Sequence, residues 1–188
     1  LNVYLTDSKY ADEMKENFSQ LVKRARNGDA DAFAELYSSV YKDLYHIAVC
    51  NLRNSEDAAD AVSDTVLDAF ASIKKLKDEN AFKAWIVRIL MAKIKKKQKE
   101  YYRDDDTQDI SEVEPEVWES NFDGVEILEV ISELEENERL VLSLSIVGGY
   151  KSDEIAKMLG GKPATIRSQL SRAKLKLRDL LIAEQEGR

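Results

Sequence analysis

The sequence predicts an all-α protein of two small helical domains, an N-terminal helical bundle and a C-terminal four-helix domain with a helix-turn-helix, joined by an acidic linker. Three observations predict it. Only 7 of 188 residues are Gly and 2 are Pro, while Leu, Ala, Glu, Lys and Arg are plentiful, a mix that favours helix over sheet. Apolar residues recur at steps of three and four through most of the chain, with no strand alternation and no internal repeat. Between two such stretches lies a segment rich in acids that has no period at all.

The elements follow in order. Residues 1–14 show no clear period and read as a leader. A short amphipathic stretch carries Phe18, Leu21, Val22 and Ala25 in phase, and Asn27-Gly28-Asp29 interrupts it as a turn. Phe33, Leu36, Tyr37, Val40, Tyr41, Leu44 and Ala48 then mark a strong amphipathic helix. Asn54 or Ser55 caps the next, whose inward stripe is Ala58, Val62, Thr65, Val66, Ala69, Phe70 and Ile73. A loop from Lys74 to Asn80 leads to a third long helix. Its apolar residues Phe82, Trp85, Ile86, Ile89 and Leu90 give way to lysines. The period is lost from Asp104 to about Asp123, apart from Val113, Val117, Trp118 and Phe122, which can dock on another surface. It resumes with Val125, Leu128, Ile131 and Leu134, then Leu140, Val141 and Leu144, which Gly148-Gly149 ends. A short helix from Asp153 to Leu159 stops at Gly160-Gly161. Pro163 suits the first turn of the last helix, where its missing N–H costs nothing, and Ile166, Leu170, Ala173, Leu177 and Leu180 face inward.

Charge is segregated. The chain carries −8 overall, but Lys83 to Arg103 holds eight bases and one acid, Asp104 to Glu138 holds fifteen acids and no base, and Lys162 to Arg178 holds six bases and no acid. Local fields decide contact with nucleic acid, because screening acts over about 8 Å at physiological salt. The acidic segment is therefore expected to fold back on its basic neighbours. No apolar run approaches the roughly 18 residues of a membrane span. Leu1 to Tyr10 lacks a signal-peptide pattern, and the single cysteine, Cys50, permits no internal disulfide. A cytoplasmic protein without membrane insertion is expected.

Three segments carry function. Ser152 to Leu170 reads as a helix-turn-helix: Ala156 is small where two helices cross, Gly160 permits the sharp turn, and Ile155, Leu159, Ile166 and Leu170 seal the corner. The outer face of its second helix presents Arg167, Ser171, Lys174 and Arg178. Such a face either enters a major groove or is simply a solvated basic face. Phe82 to Ile89, with Lys93 to Lys99 and Tyr101-Tyr102, places aromatics near cations, which suits melted nucleic acid. Trp85 taken alone reads as core. Asp57 to Phe70 shows Asp57, Asp60, Asp64, Leu67 and Asp68 on one face, either a solvated surface or a protein-docking one. His46 sits among core positions, Cys50 has no metal-ligand spacing, and there is no phosphate loop or nucleophile–base pair. No cofactor, metal or catalytic activity is expected.

These segments, in this order, resemble the extracytoplasmic-function sigma factors of the sigma-70 family, from about Phe18 to Leu181. Asn27 to Tyr37 resembles the opening "GD..AF..LY". Asp57 to Phe70 resembles "DAEDLVQEVF", and Phe82 to Ile89 the "F..WL..I" stretch around promoter melting. Leu134 to Leu142 resembles "LPENERLVL", and the last two helices "EIA..LG...GTVKSRL.RA". The resemblance implies a region 2-like domain over 15–103, an acidic linker over 104–123 and a region 4-like domain over 124–185. Asp57, Asp60, Ser63, Asp64 and Leu67 would meet the β′ coiled coil of core RNA polymerase. Lys77, Asn80, Phe82, Lys83, Trp85, Arg88, Lys93, Lys96 and Lys97 would meet the minus-10 element, with Asn80 reading a flipped base. Lys162, Pro163, Ala164, Thr165, Arg167, Ser168, Ser171, Arg172, Lys174 and Arg178 would meet the minus-35 element. The β flap and an anti-sigma factor are further implied partners, and the linker would thread a polymerase channel. The chain departs from the pattern at Ser63-Asp64 (commonly Gln-Glu), at Ala92 and Lys96 (often Asn and Asp), and at Ala164 (Gly). The rival reading is a stand-alone helix-turn-helix regulator of duplex DNA, and a third is a small helical enzyme.

Overall fold

The computed structural model describes residues 16–104, 130–131 and 133–186, and the helices that follow are drawn from these. Helix α1 spans 16–26. Asp29 then caps α2, Ala30–Leu52, its carboxylate accepting the N–H of Ala32 at 3.0 Å. That bond, and then the Arg24 guanidinium, hold the Asp29 carboxyl below the ordinary carboxylate range. Asn54 caps α3, Ser55–Ser72, by accepting the N–H of Asp57 at 2.9 Å. Two 3₁₀ turns, Ile73–Lys75 and Glu79–Ala81, replace the expected loop and lead into α4, Phe82–Asp104. Beyond the linker come α5, Glu136–Ile146, then α6, Ser152–Leu159, and α7, Pro163–Glu186. Among the described residues there is no strand and no helix long and apolar enough to cross a membrane. The leader and most of the acidic linker, with Val113, Val117, Trp118 and Phe122, lie outside the described residues.

Helices α2, α3 and α4 pack on one another, and α5 and α6 pack on α7. The inward stripes are largely those the period predicts. Leu36, Val40, Leu44, Ala58, Val62, Ala69, Ile86, Leu90, Ile166, Leu170 and Ala173 are all buried. Phe70 is a correction: expected inside, it is 48% exposed and only leans edge-on against Phe33. It sits at the margin of the α3 stripe, where one side of the ring meets α2 and the other meets solvent.

The larger difference concerns the two halves. The sequence predicts separate bundles on a tether, yet α5 packs directly against α2 and one hydrophobic core runs through both halves. The last turns of α2 make this possible. From His46 to Leu52 every residue is buried, and the segment contains no Asp, Glu, Lys or Arg. A helix that is apolar all round needs neighbours on all sides. Here α3 and α4 cover part of the circumference and α5 the rest. Inside the seam, Asn51 donates from Nδ2 to the Ile47 carbonyl at 2.7 Å and to Ser143 Oγ at 3.0 Å. Gln98 of α4 donates to the Asn51 carbonyl at 3.3 Å. Buried polar groups are costly unless bonded, so this pair admits one register of α5 on α2 and disfavours others.

Cys50 lies in the same seam, fully buried, and burial pushes its thiol up to about 12. The thiolate is the reactive form. Native protein at pH 8 should therefore leave Cys50 unmodified by a disulfide-exchange reagent over hours, whereas guanidinium-unfolded protein reacts within minutes. Rapid labelling of the native chain would contradict the burial.

Candidate functional site

The helix-turn-helix forms as its residues dictate. Gly160 takes φ +67°, a left-handed turn that costs an L side chain about 1 kcal/mol. The N–H of Gly161 closes the turn on the Ala156 carbonyl at 2.9 Å. Ile155, Ala156, Ile166 and Leu170 are buried at the crossing. Lys162, Pro163, Ala164, Thr165, Arg167, Ser168, Ser171, Arg172, Lys174 and Arg178 are all exposed, so the residues expected to read the minus-35 element are accessible to solvent. Arg167 rests on Asp153 at 3.1 Å, with both side chains more than half exposed. Pairs so exposed are worth about 0–1 kcal/mol and exchange easily for a phosphate or a base. Lys176, on the same helix, bonds instead to the nearly buried Glu138 at 2.8 Å and ties α7 to α5. That bond raises the lysine pKa.

The first half carries the other candidates. Lys77 and Asn80 are exposed on the 3₁₀ segment, and Lys83, Arg88 and Lys96 are exposed along α4. Asp78 shapes the turn that holds Asn80, accepting both its backbone N–H at 3.0 Å and its side-chain amide at 3.3 Å. Phe82 is a correction. Expected to face DNA, it is fully buried, edge-on to Phe18 and 6.0 Å from the ring of Trp85. Trp85 is half-buried, with part of its ring left for a stacking partner.

The lysine run divides by face. Lys93 bridges Asp68 at 2.6 Å and reaches Asp64 at 3.9 Å. Lys97 bonds Asp57 at 2.5 Å and Asp60 at 3.4 Å. These two lysines, expected on DNA, are turned onto the acidic flank of α3. Tyr101 joins them by donating to Asp57. Burial by itself raises the Asp57 pKa, but the bonds from Lys97 and Tyr101 outweigh it and leave the carboxyl lowered. Sequence reasoning missed Tyr101 in this role, because its only signal is a contact between helices 44 residues apart.

Of the expected polymerase-facing residues, Asp57 is half-buried in that network, while Asp60, Ser63, Asp64 and Leu67 are exposed. Leu67 stands 66% exposed at the crest of α3 and Phe70 lies one turn further. Leu67 and Phe70 together make an apolar crest with acids beside it. A cleft of about 240 Å³ separates α4 from the other half. Met91, Ile94, Lys95 and Gln98 line one wall, and Leu140, Thr165, Ile166 and Gln169 are among those that line the other. No group of three or more metal-ligating side chains occurs among the described residues.

The fold and these surfaces define a helical transcription protein with a helix-turn-helix in one half and an acid-flanked apolar crest in the other. Residues 36–106 match the family model for Sigma-70 region 2, and residues 124–177 match that for Sigma-70, region 4. RNA polymerase sigma factor SigV of Bacillus subtilis is 25% identical over 149 residues, covering 77% of this chain and 87% of SigV. ECF RNA polymerase sigma factor SigW of the same organism is 25% identical over 185 residues, covering 89% and 98%. The structure of the sigma factor RpoE in complex with the anti-sigma factor NepR from Bartonella quintana superposes with a TM-score of 0.68. It shares 24% identity and covers 79% of this chain and 96% of that one. The chain belongs to the sigma-70 family, in its extracytoplasmic-function group, and directs RNA polymerase to specific promoters.

Proposed function

We propose a division of labour within this sigma factor. Residues 15–103 hold core polymerase and open the minus-10 element, residues 124–185 read the minus-35 element, and residues 104–123 tether the two. The observation that carries it is the placement of unlike surfaces on different halves: an apolar crest among acids on α3, and an exposed basic face on α7. Asp60, Ser63, Asp64 and Leu67 meet the β′ coiled coil, with Asp57 bracing them from below. Lys77, Asn80, Lys83, Trp85, Arg88 and Lys96 face the melted strand. The α7 residues meet duplex DNA, and the β flap supports that half. The protein performs no chemistry of its own and works in the cytoplasm. An anti-sigma factor is the natural inhibitor, as one is bound to the Bartonella relative. The test is co-elution with core polymerase followed by run-off transcription and start-site mapping. Duplex binding with neither co-elution nor transcripts would favour a stand-alone regulator instead.

The basic face of α7 makes a second prediction. Arg167 lies one turn into the helix, where side chains reach base edges, and Lys174 lies further along, where they meet phosphate. Arg167→Ala should cost about 1–3 kcal/mol and relax preference at one minus-35 position. Lys174→Ala should weaken all sequences alike and lower the salt slope by about one contact. Selection on a randomised minus-35 region distinguishes them, and identical preference profiles would remove Arg167 from the readers.

A further inference from the structure

Helix α1 carries none of the residues assigned a partner above, yet it is tied to one short segment of the first half by two independent contacts. Arg26, at its last turn, bonds Glu79 at 2.6 Å, with side chains 31% and 23% exposed. Glu79 opens the 3₁₀ turn Glu79–Ala81 that carries Asn80. Phe18, eight residues earlier, packs edge-on against Phe82 at 5.9 Å, and the Lys83 ammonium lies 5.7 Å from the centre of the Phe18 ring. Leu21, Val22 and Ala25 anchor α1 in the core between these two contacts.

The turn needs such a support. It is three residues long, and its local ties are the Asp78 bonds and two backbone bonds, from Ala81 to Asp78 and from Phe82 to Glu79. The hydrogen-bond geometry of a 3₁₀ turn is poorer than that of an α-helix, so contacts from outside the turn bear on its shape. Arg26 supplies a charge-assisted bond from a rigid helix at one end, and Phe18 on Phe82 clamps the other. Between the two clamps stands Asn80, exposed, its amide aimed by Asp78.

We infer that α1 is a positioning element for minus-10 recognition: Arg26, acting through Glu79, and Phe18, acting through Phe82, hold the Asn80 turn in the shape that receives an unstacked base. The inference rests on the minus-10 role proposed for this turn. Neither Arg26 nor Phe18 touches DNA. They act by preorganisation, since a pocket that is already formed does not lose ordering entropy when the base enters.

The test uses the full chain assembled with core polymerase on its mapped promoter. Arg26→Ala and Glu79→Ala should each slow minus-10 opening, read by permanganate footprinting, by about fivefold to tenfold. Each should also flatten base preference in a randomised minus-10 selection. Core-polymerase affinity, minus-35 duplex binding and melting temperature should change little. The charge-swapped pair Arg26→Glu with Glu79→Arg should recover at least half of the lost opening rate, which a residue acting only through general stability does not do. Parent-like opening and base preference in both single variants would overturn the inference. So would equal losses in opening, polymerase affinity and minus-35 binding, the mark of a folding residue. If the parent holoenzyme opens no promoter, the minus-10 role itself fails and the inference falls with it. A parent that opens normally, beside an Arg26→Ala variant that does the same, overturns the inference alone.

Discussion

Leu67→Arg should lower affinity for core polymerase by about thirtyfold or more, roughly 2 kcal/mol, without unfolding the protein. An apolar side chain at the centre of an interface, ringed by polar groups that exclude water, is where binding energy concentrates. In the proposed interface Leu67 would take that position, being 66% exposed on the α3 crest with Asp60, Asp64 and Ser63 exposed about it. Its exposure means that the folded chain loses little packing when it is replaced, so the melting temperature should hold. Asp60→Arg with Asp64→Arg is the companion variant. Its stability cost should be slightly larger, because reversal sets new cations beside Lys97 and Lys93. Titration of labelled core polymerase measures both. Unchanged affinity in Leu67→Arg would remove the crest from the interface.

Ser143→Arg should separate the two halves and raise affinity for minus-35 duplex by about tenfold or more. Ser143 is fully buried and accepts the Asn51 bond across the seam. A guanidinium cannot stay there unpaired, since burying a lone charge costs several kcal/mol, and parting α5 from α2 is the cheaper relaxation. The gain in DNA binding follows from the cleft. Thr165 and Gln169, at the start of the reading helix, face Met91, Ile94, Lys95 and Gln98 across about 240 Å³. A helix seated in the major groove is flanked by phosphate walls on both sides, and while the halves are joined α4 stands across the cleft from Thr165 and Gln169. Small-angle scattering should show the variant extended. Ser143→Ala, which deletes one bond across the seam at about 1 kcal/mol and one within α5, should remain mostly compact. A compact Ser143→Arg protein with unchanged duplex affinity would mean that the seam does not restrain the reading helix. Most of the acidic segment expected to fold back on its basic neighbours lies outside the described residues, but its last turn does so, Glu138 and Glu135 lying 2.8 and 3.9 Å from Lys176. The contact observed between the halves is largely apolar and includes the buried Asn51–Ser143 bond, so its strength should vary less with salt than that of exposed ion pairs.

What was legible in the sequence is what a helix encodes locally. A period of 3.6 states which face of a segment is apolar, so the inward stripes of α2, α3, α4 and α7 could be read off, and so could stops and starts. Asn54 caps, Gly160 turns left-handed and Pro163 opens the last helix because each property belongs to one residue and its near neighbours. The sigma-factor resemblance was legible for the same reason, since its motifs are short runs in a fixed order.

What a given face meets is not a local property. Phe82 and Phe70 are both aromatic at the edge of a stripe, and the tertiary packing, with Phe18 of α1 against Phe82, buries the first while solvent takes one side of the second. The lysine run has one composition but two destinations, and the distance from Lys93 and Lys97 to the α3 acids exists only once α3 and α4 lie side by side. The run from His46 to Leu52, uncharged and mostly apolar, requires a neighbour on every side without naming it. That the neighbour is α5, from the other end of the chain, was decided by shape and by the match of Asn51 to Ser143. Pairings across 92 residues depend on three-dimensional fit, and no periodicity carries them.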